Sequence, residues 1–311
     1  MATREDAVTG AVPSARRRSA FARLGRLRWA GAALLILFAL WLGLSWGAER
    51  VTLHPARWGI GPSPAARGWA YQDVSFKDSA GLTLRGWWIP GTNHRTVVMV
   101  HGWTSSRRET MEKSGYLHAA GYNLLLFDLR GSGQSDGSYT TIGYAEPDDV
   151  RAAVAFAGAR DAGPIALLGY SMGGSVAVVE GARDARVAAV VEDSGFSSLL
   201  DVVSARFHTL TGLPAWPLLA PLVGIGQLDL RMSAGDVRPV QDAAHLHKPL
   251  LAIVGTNDRV VPPSQGMALY DAAEGPRQLL VVPGAGHTGA YAKDGPTYER
   301  TVLAFLSHSL A

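Results

Sequence analysis

The sequence predicts an α/β fold: a mostly parallel, doubly wound sheet with a small helical cap, preceded by one N-terminal transmembrane helix. Three observations lead there. Short continuous apolar runs alternate with helical patterns from about residue 69 to the end. One insertion of nearly sixty residues interrupts that alternation between Val191 and Leu250. An uncharged run of 20 residues, Trp29–Ala48, stands before it.

Composition bounds the rest. The chain has 311 residues and is 47% hydrophobic, enough to build a large core. It has no cysteine, which excludes disulfides, thiolate metal sites and a cysteine nucleophile. Residues 1–28 carry seven Arg against Glu5 and Asp6, a local charge of +5. The total is +3, so the remainder carries −2, and no nucleic-acid surface is expected.

As a helix, Trp29–Ala48 would extend about 30 Å, the thickness of a bilayer's hydrocarbon core. Six Arg (16, 17, 18, 23, 26 and 28) precede it closely, and only Arg50, Arg57 and Arg67 follow over a similar distance. The positive-inside bias places the N-terminus in the cytoplasm and the following domain outside. A cleaved signal peptide is the competing reading, but the apolar core is long and Ser45-Trp46-Gly47 is a poor cleavage site. The expected organisation is a basic cytoplasmic tail at 1–28, a transmembrane helix at 29–48, a Pro- and Gly-containing linker at 49–66 and a domain at 67–311.

Within the domain, Trp69–Phe76 and Leu82–Ile89 read as an antiparallel pair around Asp78-Ser79-Ala80-Gly81. Thr96–Val100 reads as a strand buried on both faces, followed by a helix over Arg107–Ala120. Tyr122–Phe127 is the next strand, and Pro147–Gly158 a helix with Asp148 and Asp149 in its first turn. Then come a strand at Pro164–Leu168, a helix at Met172–Gly181 and a strand at Val187–Val191. Strands at Leu250–Val254 and Gln278–Val282 and a helix at Thr297–Ser307 close the chain. The insertion, taken as about 195–248, is too long for a plain crossover and contains Pro214, Pro217 and Pro221. It reads as a cap over the site, with a packed structural insertion as the alternative.

The chemistry centres on Gly169-Tyr170-Ser171-Met172-Gly173, between a buried strand and a helix. A sharp strand-to-helix turn needs small residues at Gly169 and Gly173, and it holds Ser171 out at the carboxyl edge of the sheet. A Ser hydroxyl is a weak nucleophile and needs a base oriented by a carboxylate. His287 follows the last strand and Asp258 the one before it, in the order Ser, Asp, His. Asp193 also follows a strand and competes for the role of acid. The N–H groups of Trp103, in His101-Gly102-Trp103, and of Met172 are candidate donors to an oxyanion. His101 and the loop Asp128–Ser135 read as structural.

Residues from about 68 onward resemble the α/β-hydrolase superfamily, on His101-Gly102, Asp128–Ser135, Gly169–Gly173, Asp258 and His287. Within it the chain is similar to the serine aminopeptidase and monoacylglycerol lipase-like group, and to membrane-anchored hydrolases that remove fatty acyl groups from proteins. The resemblance implies an α/β-hydrolase fold, a serine hydrolase acting on an ester, thioester or amide through an acyl-enzyme, and a small-molecule or lipid-like acyl substrate. It implies no metal and no cofactor. An acyltransferase using the same acyl-enzyme, and a non-catalytic membrane-tethered binding protein, are the alternatives.

Overall fold

The computed structural model describes residues 15–311. Residues 1–14, with Arg4, Glu5 and Asp6 of the expected basic tail, lie outside the described residues.

The first element is the helix α1, Ala15–Leu53. Within its segment Gly25–Leu53 an 18-residue stretch has a mean hydropathy of 1.9, and the segment is by length and composition long and apolar enough to cross a membrane. The helix thus runs five residues beyond the expected end at Ala48, because its last turns are packed rather than free. Buried Ser45, Glu49 and Leu53 recur every fourth residue and so share one face of α1.

The segment after α1 is pinned to the domain. The Thr140 N–H donates to the Leu53 carbonyl at 2.8 Å. The Arg57 guanidinium donates to the carbonyls of Ser135 (2.6 Å), Gly133 (3.2 Å) and Gly137. Ser106 Oγ donates to the Gly59 carbonyl at 3.1 Å. The expected linker is therefore a fixed strap.

Eight strands follow: β1 Gln72–Lys77, β2 Thr83–Ile89, β3 Thr96–Val100, β4 Asn123–Phe127, β5 Ile165–Tyr170, β6 Val187–Asp193, β7 Leu250–Gly255 and β8 Arg277–Val282. They form one sheet in the order β1-β2-β4-β3-β5-β6-β7-β8. β1 pairs antiparallel with β2, and β2 with β4; all other pairs are parallel. β1 starts later than the sequence suggests, because the Trp69 ring stacks on His118 at 4.1 Å instead of joining the sheet.

The remaining helices are α2 Arg107–Glu112, α3 Gly115–Ala119, α4 Glu146–Arg160, α5 Met172–Arg183, α6 Leu199–Thr211, α7 Ala220–Leu230, α8 Pro239–Ala243, α9 Pro263–Ala272, α10 Ala290–Lys293 and α11 Gly295–Ser309. The single helix expected over Arg107–Ala120 is two. Ser114, buried, turns its hydroxyl back to the Met111 carbonyl at 2.9 Å, and Gly115 restarts the chain as α3.

Helices cover both faces, as buried parallel strands require. Val150 of α4, Val176 of α5, Ala243 of α8 and Leu269 of α9 pack on one face. Met111, Leu117, Ala290 and Tyr298, from α2, α3, α10 and α11, pack on the other. Each fully buried Leu or Val contributes about 1.5–3 kcal/mol. Within 195–248, Phe196, Val237, Ala243 and Leu246 belong to this core. Leu199 and Val202 join α6 to it as well, whereas α7 contributes no buried residue and stands out as a cap.

Several carboxylic acids are buried, and one of them has little to offset the cost. Glu192 on β6 is fully buried, and its Oε2 accepts the Gly195 N–H at 2.8 Å. Burial, opposed by that bond and reinforced by neighbouring Asp193, pushes its carboxyl up to about 8. Between the ordinary carboxylate range and that value the folded chain holds a proton that the unfolded chain has released. This group therefore lowers stability progressively as the pH rises through that window. Glu192→Gln keeps an acceptor for Gly195 and removes the titration. The variant's denaturation midpoint should gain on wild type between about pH 5 and pH 8. An equal difference at both pH values would refute a neutral buried Glu192.

Candidate active site

The strand order reverses at β3, so its carboxyl end and that of β5 border the crevice where open α/β sheets place their sites. Ser171 sits in the turn from β5 into α5 at φ 54°, ψ −122°. That region is sparsely populated for a residue with a side chain and costs about 1–3 kcal/mol. The neighbours enforce it. The Ser171 N–H donates to the Asp193 carbonyl at 2.8 Å, and its own carbonyl accepts the Ser175 N–H at 3.1 Å. A Cβ on Gly169 would collide with the Gly173 carbonyl, and one on Gly173 with the carbonyls of Val100 and His101. Only glycine permits β3, β5 and α5 to approach this closely.

His287 follows β8 and approaches Ser171 from the loop before α10. Its Nε2 lies 2.8 Å from Ser171 Oγ, and its Nδ1 lies 2.7 Å from Asp258 Oδ2. A carboxylate only accepts, so Nδ1 carries the proton and Nε2 is free to accept from the serine hydroxyl. Asp258 is 3% exposed at its side chain. Its second oxygen accepts the N–H groups of Val260 (2.8 Å) and Val261 (2.9 Å). One oxygen thus holds the turn after β7 and the other holds the imidazole.

Asp193 is brought to the site but not to the imidazole. Its Oδ1 accepts from Ser194 Oγ at 2.8 Å, while its backbone carbonyl supports Ser171. It is fully buried, and burial pushes its carboxyl above the ordinary range.

The turn after β3 lies against the serine: a Cβ on Gly102 would sit 3.3 Å from Ser171 Cβ. His101 is a buried structural residue. Its Nδ1–H donates to the Gly102 carbonyl at 2.8 Å, and its Nε2 accepts the Leu129 N–H at 3.0 Å. Among the described residues the N–H groups of Trp103 and Met172 bond to no protein acceptor. Both lie beside Ser171, with Met172 at the positive end of α5. The Trp103 ring is 40% exposed, and its Nε1 donates to the Thr52 carbonyl of α1 at 3.1 Å.

Two residues that the sequence does not single out hold this turn. The Gly102 N–H donates to Glu109 Oε2 at 3.0 Å. Burial opposes the Glu109 charge, but Lys113 Nζ at 3.1 Å and the Gly102 N–H outweigh it and keep its carboxyl below the ordinary range. Lys113 also stands 3.9 Å from the centre of the Tyr170 ring. Their only sequence signal is the i,i+4 Glu–Lys spacing, which marks many exposed helix faces as well.

The loop Asp128–Ser135 is tied down internally. Asp128 accepts the N–H groups of Arg107 and Gln134, and Arg130 pairs with Asp149 at 2.7 Å and Asp78 at 2.9 Å. A cavity of about 410 Å³ lined by Ile60, Tyr71, Asp73, Arg85 and Trp87 shares no residue with the Ser171 site. Glu49, His54 and Asp229 bring possible metal ligands within 4.8 Å of one another where α1 meets the cap. Arg50 already pairs with Asp229 there at 3.0 Å.

Residues 97–297 match the α/β hydrolase family. An uncharacterized protein of Mycobacterium tuberculosis is 31% identical over 271 residues, 85% of this chain and 89% of the relative. WAV2 of Arabidopsis thaliana, an alpha/beta hydrolase domain-containing protein, is 26% identical over 305 residues, 92% of this chain and 93% of the relative. Among solved structures, the Pyrococcus furiosus esterase Pf2001 superimposes with a TM-score of 0.71 at 26% identity, covering 84% of this chain and 99% of the esterase. The chain belongs to the α/β hydrolase family and is a hydrolase.

Proposed function

We propose that this protein is a membrane-anchored serine hydrolase that cleaves an acyl ester or thioester through Ser171, His287 and Asp258. The observation that carries this reading is the unbroken relay from Ser171 Oγ through His287 to Asp258 at 2.8 and 2.7 Å. The likeness in fold and sequence to the Pyrococcus furiosus esterase supports an acyl ester substrate.

His287 Nε2 takes the proton of Ser171 as Oγ attacks the carbonyl carbon of the substrate. The developing oxyanion is received by the N–H groups of Trp103 and Met172. Asp258 orients the imidazole and stabilises its cationic form. His287 then gives its proton to the leaving oxygen or sulfur, and the acyl group stays on Ser171. Water, deprotonated by the same imidazole, attacks the acyl-enzyme and releases the acid. The small-molecule substrate is thus an acyl compound, and none of these steps draws on a cofactor.

Residues 29–48 act as the membrane span in this reading. The Arg-rich residues 1–28 stay in the cytoplasm, and residues 67–311 form the catalytic domain outside it.

Three outcomes test these assignments. Ser171→Ala abolishes both labelling by a fluorophosphonate probe and hydrolysis of short aryl esters; labelling that persists in this variant rules out the nucleophile. Asp258→Asn lowers kcat by about 10⁴-fold, as loss of the orienting carboxylate does in serine proteases. Asp193→Asn leaves far more activity, and the reverse ranking would transfer the role of acid to Asp193. A phosphatase active only outside the cytoplasm, fused after Ala311, gives signal in cells; a silent, stably expressed fusion would invert the orientation.

A further inference from the structure

The cap and the apolar helix are packed side by side in a way that fixes the depth of one from the other. α7 runs parallel to α1. At one end, Trp41 Nε1 donates to the Leu218 carbonyl at 3.0 Å. At the other, Arg50 pairs with Asp229 at 3.0 Å, and Gly226 is flanked by Leu53 and Glu49. The cap therefore reaches nine residues back along α1, about 13 Å from the level of Arg50.

We infer that the cap hairpin, residues 209–228, is immersed in the hydrocarbon of the outer leaflet beside α1. The inference rests on reading residues 29–48 as a membrane span. With the outer boundary of that span at Ala48, Trp41 lies about 10 Å inside the bilayer, and the cap residue bonded to it lies there too. Lifting the cap into water would raise Trp41 to the surface. Only Trp29–Leu40 would then remain uncharged before Arg28, about 18 Å of helix for a core about 30 Å thick.

The composition of the hairpin agrees. Residues 209–228 contain no charged or histidine side chain, and charge resumes at Asp229, level with Arg50. Its large outward side chains are apolar: Leu210, Leu213, Trp216 and Leu218 are 67%, 51%, 46% and 37% exposed, and the exposed Thr209 and Thr211 hydroxyls donate to the carbonyls of Ala205 and Phe207. Part of the connecting backbone is satisfied within the protein, which lowers its cost in hydrocarbon, although the N–H groups of Ala215, Trp216 and Leu218 donate to no acceptor among the described residues. Pro214, Pro217 and Pro221 have no N–H to satisfy. The N–H groups of Gly212, Leu219 and Ala220 donate to the carbonyls of His208, Ala215 and Pro217. The Leu213 N–H donates to Thr211 Oγ1, and the Leu218 carbonyl accepts the Trp41 indole.

The same ruler places the site. Trp103, beside Ser171, is bonded to Thr52, four residues beyond the apolar run and about 6 Å outside the hydrocarbon. Ser171 is thereby presented to the headgroup region, where the acyl ester carbonyls of lipids lie. On the hydrolase reading above, the substrate is an acyl ester held in the leaflet.

The chain has no native cysteine, so single-cysteine variants of the full protein report depth directly. Leu213→Cys, Trp216→Cys, Leu44→Cys on α1 and Ser75→Cys on the exposed edge strand are labelled with an environment-sensitive fluorophore. Each is reconstituted in phosphatidylcholine vesicles containing lipids with a nitroxide on the acyl chain. Labels at positions 213 and 216 should be quenched as strongly as the label at position 44, with position 75 unquenched. Quenching at 44 but at neither cap position would overturn the immersed cap and leave the span intact. Absence of quenching at all three would overturn the span and the immersed cap together.

Discussion

The backbone of Ser171, held at φ 54° and ψ −122°, is the constraint around which the rest of the molecule is arranged. Nothing in a serine favours that conformation. It persists because three parallel strands converge on it: β3 through the carbonyls of Val100 and His101, β5 as the strand it ends, and β6 through the Asp193 carbonyl. Each contact demands that the sheet keep its register, since Gly169 pairs with Val100 on one side and Glu192 on the other. The reactive geometry is thus stabilised by the whole core and not by the five residues of the turn.

Acidic side chains around that turn are sorted by their surroundings. Asp258 gives each oxygen a defined N–H partner and reaches the imidazole. Asp193 and Glu192 lie deeper, and burial pushes both carboxyls upward. A neutral or half-satisfied acid is a poor stabiliser of an imidazolium, whereas an anchored carboxylate is a good one. Glu109 works from the far side, fixing the Gly102 N–H and so the direction in which the next N–H, that of Trp103, points. This separation of duties follows from which strand end each carboxylate occupies.

The N-terminal helix is joined to the hydrolase domain by more than a covalent link. Its face carrying Trp41, Ser45, Glu49 and Leu53 packs on the cap, and the strap after it is bonded to three carbonyls of the Gly133–Gly137 turn. A flexible tether would let the domain rotate freely above a membrane. A docked one gives the site a fixed height and tilt relative to the helix, so that substrate access becomes a property of the assembly as a whole.

Periodicity and motif order made most of this legible in the sequence. The buried runs Thr96–Val100, Ile165–Leu168 and Leu250–Val254 admit few structures other than central parallel strands, because nothing else keeps both faces dry. The order Ser171, Asp258, His287, each after a strand, put the three side chains at one sheet edge. What needed the tertiary structure were contacts between elements distant in the chain. Asp193 ends β6 and Asp258 follows β7, and only the path of the His287 loop separates them, giving a 2.7 Å contact with Asp258 and none with Asp193. The break at Ser114 arose from a buried hydroxyl, and the role of Glu109 from a turn that folds back over it. The apolar run Trp29–Ala48 and the proline-containing insertion at about 195–248 were each evident alone. That they lie parallel and in contact depends on where the strap and the cap are anchored, and no local pattern encodes that distance.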